Sequence, residues 1–221
     1  MVKKKVTPGW RPSDSDDPEY DEEQLSEIEK LEKDLRVQLA PKPKRLAHSL
    51  SVARTAEHMA MLYGVDPFLA RCAGILHDWD KGVPHDQLVA RARNLGIDMG
   101  VDLQMVESLL HGKVAAIELA GRYPELDPAV FQAIDRHTTG AADMTPLDEV
   151  VFVADGIEPL RRSSKGIEET RSMVGREPLD DVYWNAFSGG MVYVIQTARY
   201  LWPGTLDTYN RLVESRSARR G

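Results

Sequence analysis

Apolar residues recur along most of this chain at intervals of three and four positions, the spacing of one face of an α-helix. β-branched runs are rare, and the one strand candidate, residues 150–153, fits a buried helix at least as well. We therefore expect an all-α fold. The pattern predicts helices over residues 20–39, 43–63, 67–78, 84–95, 102–110, 112–122, 128–137, 146–157 and 179–200, with a short one after Pro203.

The amino-terminal part of the chain differs in composition from the rest. Residues 1 to about 20 are polar and rich in Pro, Asp and Ser, which predicts a disordered arm. The helix over 20–39 is densely charged around an apolar stripe, so it would pack on the main domain, pair with another chain or form only partly. Pro41 and Pro43 end it. We predict an arm plus charged helix over 1–42, a helical domain over 43–216 and a basic tail over 217–221.

Charge and hydropathy limit the class of protein. The 221 residues carry a formal net charge of −7, which argues against binding to nucleic acid polymers. No apolar run approaches the roughly 18 residues that span a bilayer, and the first residues lack a secretory signal. We expect a soluble cytoplasmic protein, and a homodimer is one option for its assembly. Cys72, the only cysteine, lies in an apolar helical run and is expected to fill the core.

Histidines and aspartates stand at apolar positions in three of the predicted helices. His48 shares a helix face with apolar residues, His77 and Asp78 follow the apolar residues 73–76, and Asp155 ends the apolar run 150–154. A buried imidazole or carboxylate is costly without a partner. A shared cation would satisfy all four side chains. A mixed set of imidazoles and carboxylates suits Fe, Mn, Co or Zn better than a metal that prefers thiolates.

Two further histidines are candidates for contacts with phosphate. His111 precedes Gly112 and Lys113, and His137 opens the sequence His-Thr-Thr-Gly. Imidazoles, hydroxyls and backbone amides are groups that bind polyphosphates. A capping or surface position is the alternative for each histidine.

The order His48, His77-Asp78 and Asp155 resembles the metal-dependent phosphohydrolases of the HD superfamily. Five segments, 45–48, 74–81, 109–112, 133–140 and 153–159, are similar to the bacterial YqeK family of symmetrical diadenosine-tetraphosphate hydrolases, which release two ADP. The resemblance covers residues 45–211 and implies an HD-domain helical bundle. This chain departs from the usual pattern at Trp79, Asp80, Gly156 and Leu160, and residues 1–40 have no counterpart in the family core.

The resemblance implies an iron-type metal at His48, His77, Asp78 and Asp155, and a dinucleoside polyphosphate substrate. A bound metal activates water for attack on the β- or γ-phosphorus, with Asp78 as ligand and base. The candidate catalytic residues are Asp78, Lys81, His111 and His137. The candidate substrate contacts are Arg45, Lys81, His111, His137, Thr138, Thr139 and Arg161. The cations could instead form surface ion pairs, and we expect Asp80 to face solvent.

Other functions compete with this interpretation. If His111 and His137 are metal ligands, the site becomes dinuclear, as in HD-type phosphodiesterases. A mononucleotide phosphatase is a second alternative. A helical module that binds a nucleotide without hydrolysing it is a third, and an interaction role for the charged helix over 20–39 is a fourth.

Overall fold

A computed structural model describes residues 9–14 and 16–219, and these residues contain no β-strand. The predicted all-α fold is confirmed. The α-helices are α1 Glu22–Gln38, α2 Pro43–Tyr63, α3 Pro67–Leu76, α4 His85–Asn94, α5 Leu110–Arg122, α6 Pro128–Arg136, α7 Pro146–Ile157, α8 Lys165–Met173, α9 Leu179–Gln196 and α10 Pro203–Ala218. Short 3-10 helices cover Pro12–Asp14 and Leu103–Leu109. Among the described residues, none of the helices combines the length and hydropathy needed to cross a membrane.

Local signals set several helix boundaries where the sequence predicts them. Gly64 ends α2 with a φ of 67°, a left-handed conformation that glycine adopts without steric cost. The Asp66 carboxylate accepts the first backbone N–H groups of α3. Thr145 and Asp148 form a reciprocal capping box at the start of α7. These caps fix the helices that carry the candidate site.

The main core lies between α2, α3, α6 and α7. Gly74 allows α3 to approach α2 closely, because a Cβ at this position would lie 2.5 Å from the Ala53 Cα. A second, smaller core joins α4, the 3-10 helix over 103–109 and α5. Trp202 closes it, donating its indole N–H to the Met99 carbonyl at 2.8 Å. Helix α5 contributes to both cores.

Helix α1 packs on the main domain, which selects one of the three alternatives left open by the sequence. Leu31 and Leu35 are completely buried in the main core, whereas Leu25 of the predicted apolar stripe is 47% exposed. Arg71 of α3 donates to Glu32 of α1 at 2.5 Å. Helix α1 therefore contributes to the main core, and the boundary at residue 42 stays a prediction.

Parts of the arm that the sequence predicts to be disordered contact the domain. The Trp10 backbone N–H donates to the Arg171 carbonyl, and the Tyr20 hydroxyl donates to Glu57 at 2.8 Å. Aromatic side chains gain from burial even in a polar segment. Residues 1–8 and 15, and residues 220–221 of the predicted tail, lie outside the described residues.

Four helices differ from the predictions. Helix α8 was not predicted, because Lys165–Met173 is short and carries few apolar residues. Helix α9 ends at Gln196 rather than near residue 200, and α10 extends through the predicted tail boundary to Ala218. Helix α3 ends at Leu76, so His77 and Asp78 stand in the turn that follows it.

Candidate metal centre

The four residues predicted to bind metal come together in the structure. His48 lies on α2, His77 and Asp78 follow α3, and Asp155 lies on α7. His48 Nε2 is 3.0 Å from Asp155 Oδ1 and 3.6 Å from Asp78 Oδ2. His77 Nε2 is 3.5 Å from Asp78 Oδ2 and 3.8 Å from Asp155 Oδ1. Two imidazoles and two carboxylates thus face one point.

His111 and His137 face the other oxygen of Asp78. His111 Nε2 is 3.1 Å from Asp78 Oδ1, and His137 Nε2 is 3.9 Å from it. The two Nε2 atoms are 3.1 Å apart. Asp78 is therefore placed between two pairs of histidines, and the atoms of His77, Asp78 and His137 are close enough to hold an ion of their own.

The other ring nitrogen of each of these histidines is held by an oxygen acceptor. Nδ1 of His48 is 2.9 Å from Glu158 Oε1. Backbone carbonyls accept from the other three, with Gly74 for His77, Ser108 for His111 and Ile134 for His137, at 2.7, 3.1 and 2.7 Å. Because a carbonyl only accepts, Nδ1 of His77 and Nδ1 of His137 carry the proton and leave Nε2 with its lone pair. This is the tautomer that a metal ligand requires.

Buried nitrogens without a partner test whether a cation fits this site. Within the described part of the chain, Nε2 of His48 and Nε2 of His77 are buried and have no hydrogen-bond partner. A buried polar atom left in this state costs free energy. Both atoms face carboxylate oxygens in a shared centre, so the residues present fit a divalent metal ion.

Burial and neighbouring charges shift the pKa values in the centre. Burial lowers the pKa of His137 to about 3 and also lowers the pKa of His111, so both rings are neutral. Burial opposes ionisation of Asp78 and Asp155, but nearby histidines, with Arg161 for Asp155, hold both pKa values below their usual range. His48 differs, because burial is outweighed by hydrogen bonds to Asp155 and Glu158, which raise its pKa. Neutral imidazoles and ionised carboxylates are the protonation states that bind metals, so a bound metal would replace a proton on His48.

Three of the predicted substrate cations border the centre. Arg45 donates to Asp78 Oδ2 at 2.6 Å, and Arg161 donates to Asp155 Oδ1 at 2.5 Å. Lys81 Nζ lies 3.4 Å from His111 Nδ1, and burial lowers its pKa. The alternative in which these residues form unrelated surface ion pairs does not describe Arg45 or Arg161, since both contact candidate ligands.

The loop after α6 brings its hydroxyl group to the histidines. Thr138 Oγ1 lies 3.0 Å from His137 Nε2 and 3.3 Å from His111 Nε2. Thr139 is buried, so its side chain is not freely available to a substrate. Gly112 lets His137 lie against α5, because a Cβ there would be 2.8 Å from His137 Cε1. The loop therefore places the Thr138 hydroxyl beside His111 and His137.

Two residues near the centre have roles that the sequence did not reveal. Asp80, expected to face solvent, is buried and accepts two hydrogen bonds from Arg91 of α4, each 3.0 Å long. Glu158, given no role in the site, orients His48. A carboxylate three residues beyond Asp155 was the available signal, but its partner lies 110 positions away in the sequence.

Comparison with known proteins agrees with this geometry. The HD domain family matches residues 45–160, a little over half of the chain. The symmetrical bis(5'-nucleosyl)-tetraphosphatase of Staphylococcus aureus is 34% identical over 173 residues, covering 76% of this chain and 86% of the relative. The corresponding Bacillus subtilis protein is 30% identical over 175 residues, covering 76% and 89%.

A solved structure extends the similarity to the fold. A protein of Clostridium acetobutylicum, described as a predicted HD superfamily hydrolase involved in NAD metabolism, superposes with a TM-score of 0.75. It is 32% identical, and the match covers 85% of this chain and 97% of the other. The chain therefore belongs to the HD domain family and, within it, to the group of symmetrical bis(5'-nucleosyl)-tetraphosphatases.

Proposed function

We propose that this protein hydrolyses dinucleoside polyphosphates, cleaving diadenosine tetraphosphate symmetrically into two ADP. The observation that carries the proposal is the convergence of four histidine Nε2 atoms on Asp78 and Asp155, with every Nδ1 held by an oxygen. The names of the related Staphylococcus and Bacillus enzymes support the choice of substrate.

The metal would be held by His48, His77, Asp78 and Asp155. Imidazole and carboxylate ligands suit iron, which we propose, and are also compatible with Mn, Co or Zn. A divalent metal in such a site lowers the pKa of bound water and polarises a phosphoryl oxygen. Asp78 approaches His48 and His77 through Oδ2 and His111 through Oδ1, and we propose that Oδ1 accepts a proton from the attacking water.

The surrounding cations are placed to bind the tetraphosphate. Arg45 forms an ion pair with Asp78, and Arg161 forms one with Asp155. Lys81 adds a third cation beside His111. Guanidinium groups stay charged and pair with two phosphate oxygens at once. We propose that these residues bind the phosphoryl oxygens and stabilise the charge that develops there in the transition state. Thr138 would add a hydroxyl contact.

Product analysis tests the function. Purified protein is incubated with diadenosine tetraphosphate and Fe, Mn or Co in turn, and the nucleotides are separated by ion-exchange chromatography. ADP as the sole product supports the proposal. ATP plus AMP, or no reaction with any of the metals, contradicts it. Asp155→Ala, which removes a proposed ligand, is the inactive control.

The geometry also favours a second metal position, between Asp78, His111 and His137. His137 presents a neutral Nε2 with a lone pair, which suits a metal ligand better than a phosphate donor. A dinuclear centre would be shared with HD-type phosphodiesterases. Metal content per chain, measured by mass spectrometry, distinguishes one ion from two. Hydrolysis of cyclic nucleotides or of an RNA oligonucleotide, with the tetraphosphate left intact, would favour the phosphodiesterase function.

The remaining expectations concern the class of substrate, the cellular location and the oligomeric state. We propose a small nucleotide substrate rather than a nucleic acid polymer, because the net charge of −7 opposes binding to a polyanion. The cytoplasmic location and the homodimer stay predictions. Light scattering on the purified full chain would measure the oligomeric state.

A further inference from the structure

Helix α7 ends beside the metal centre, and a buried arginine from α8 holds this end. Backbone carbonyls in the last turn of a helix have no partner within the helix. Arg171 donates Nε–H to the Ile157 carbonyl and Nη2–H to the Glu158 carbonyl, both at 2.8 Å. Only 2% of Arg171 is exposed. Its third contact, with Glu168 at 2.6 Å, orients the guanidinium plane. Pro159 follows at once and prevents the helix from continuing.

Glu158 leaves the helix in an extended conformation, with ψ at 149°, and its side chain turns back towards α2. One carboxylate oxygen lies 2.9 Å from His48 Nδ1, and the other accepts the Leu160 backbone N–H at 2.6 Å. Glu158 is 1% exposed, so water cannot replace these partners. The direction of this carboxylate depends on how α7 ends, and Arg171 fixes that end.

We propose that Arg171 and Glu158 are positioning residues of the metal centre. Arg171 fixes the last carbonyls of α7, Glu158 then holds His48 Nδ1, and His48 Nε2 is thereby directed at the point shared with Asp155. The assignment rests on the proposed function in one respect, that His48 binds a metal. Arg171 lies beyond residues 45–160, which match the HD domain family, so this contact comes from outside the matched region.

The test is metal binding by the full-length protein, measured without turnover. Metal-free protein is titrated with Mn²⁺, and the electron paramagnetic resonance of the free ion gives the Kd. Glu158→Gln keeps the shape of the side chain but presents an amide N–H to one of the donors around it, which are His48, Ser51 and the Leu160 N–H. Arg171→Lys keeps the charge but cannot span two carbonyls. We expect the Kd for Mn²⁺ to increase by about tenfold to a hundredfold in Glu158→Gln and about tenfold in Arg171→Lys.

Arg216→Met is the matched control. Arg216 of α10 is also a largely buried arginine, paired with Asp180 at 3.0 Å and lying over the Trp184 ring. Its loss should lower the Tm without changing the Kd for Mn²⁺. The Kd of the double variant Glu158→Gln/Arg171→Lys for Mn²⁺ should not exceed the larger of the two single-variant Kd values, because both substitutions act through His48.

Each negative result has a distinct meaning. If Arg171→Lys binds Mn²⁺ as the wild type does and loses only Tm, as Arg216→Met does, Arg171 is merely structural and the assignment is overturned. The same Kd in Glu158→Gln would overturn the role of Glu158. A wild-type protein that takes up no Mn²⁺ and does not hydrolyse the tetraphosphate would instead overturn the proposed function, and this assignment with it.

Discussion

Glu149 should make the protein less stable as the pH rises towards neutrality. It lies in the first turn of α7 and is only 9% exposed. Burial, with the negative charges of Asp180 and Asp148 against a weaker opposing effect of Arg219, raises its pKa from 4.5 to about 7. The folded state therefore holds the Glu149 proton between pH 4.5 and 7 while the unfolded state releases it, and stability falls across this range.

The size of the effect follows from the pKa difference. One pKa unit corresponds to about 1.36 kcal/mol, so the buried charge costs up to about 3 kcal/mol above pH 7. Glu149→Gln removes the charge and keeps the shape. We expect this variant to exceed the wild type in free energy of unfolding by about 2–3 kcal/mol at pH 8, and by less than about 1 kcal/mol at pH 5.

Urea denaturation followed by circular dichroism at both pH values measures this difference. Metal-free protein is used throughout, so that the histidines of the centre contribute equally to both proteins. Glu214→Gln, which changes an exposed carboxylate on α10, is the control and should leave stability nearly unchanged at either pH. A difference between Glu149→Gln and the wild type that stays constant from pH 5 to pH 8, or that shrinks as the pH rises, would refute the reasoning.

Three further predictions concern the centre and the core. In Gly112→Ala, the new Cβ would meet the His137 ring at 2.8 Å, so turnover should fall at least about tenfold. Gly121→Ala on the same helix, where no described atom lies within 4 Å, should stay fully active. Leu35→Ala should cost about 2–5 kcal/mol in urea denaturation, because Leu35 is completely buried, whereas Leu25→Ala should cost less than about 0.5 kcal/mol. Asp155→Ala should lose metal, measured by mass spectrometry, together with all turnover; retention of a full complement of metal would exclude Asp155 as a ligand.

The sequence predicts helix boundaries well where the residues that cap or end the helix lie next to the boundary. Gly64, the Asp66 cap and the capping box at Thr145 all act within a few residues of the boundary they set, so α2, α3 and α7 begin or end where expected. Helix α8 depends on packing instead: its buried residues are Thr170 and Arg171, neither of which signals a helix face.

The polar partners of buried residues could not be predicted in the same way. Asp80 is buried because Arg91 of the next helix donates two hydrogen bonds to it. In the sequence, an aspartate and an arginine at these positions are equally compatible with two side chains that face solvent. The same holds for Tyr20, whose polar neighbours in the sequence conceal the hydrogen bond of its hydroxyl to Glu57. Burial of these groups depends on pairs that only the folded chain brings together.

Some features of the candidate site can be predicted from the sequence, whereas others depend on the folded structure. His48 and Asp155 lie on apolar helices, and His77 and Asp78 directly follow one. The sequence therefore predicts that these side chains face the interior and that a shared cation offsets the cost. The tautomer of an imidazole is set by acceptors such as the Gly74 carbonyl beside His77 and the Ile134 carbonyl beside His137, which no periodicity reveals. A sequence therefore indicates which side chains meet at a metal, while the fold determines which nitrogen each of them presents. For His137 the Ile134 carbonyl leaves Nε2 as an acceptor, which favours the proposed second metal position over a hydrogen bond donated to phosphate.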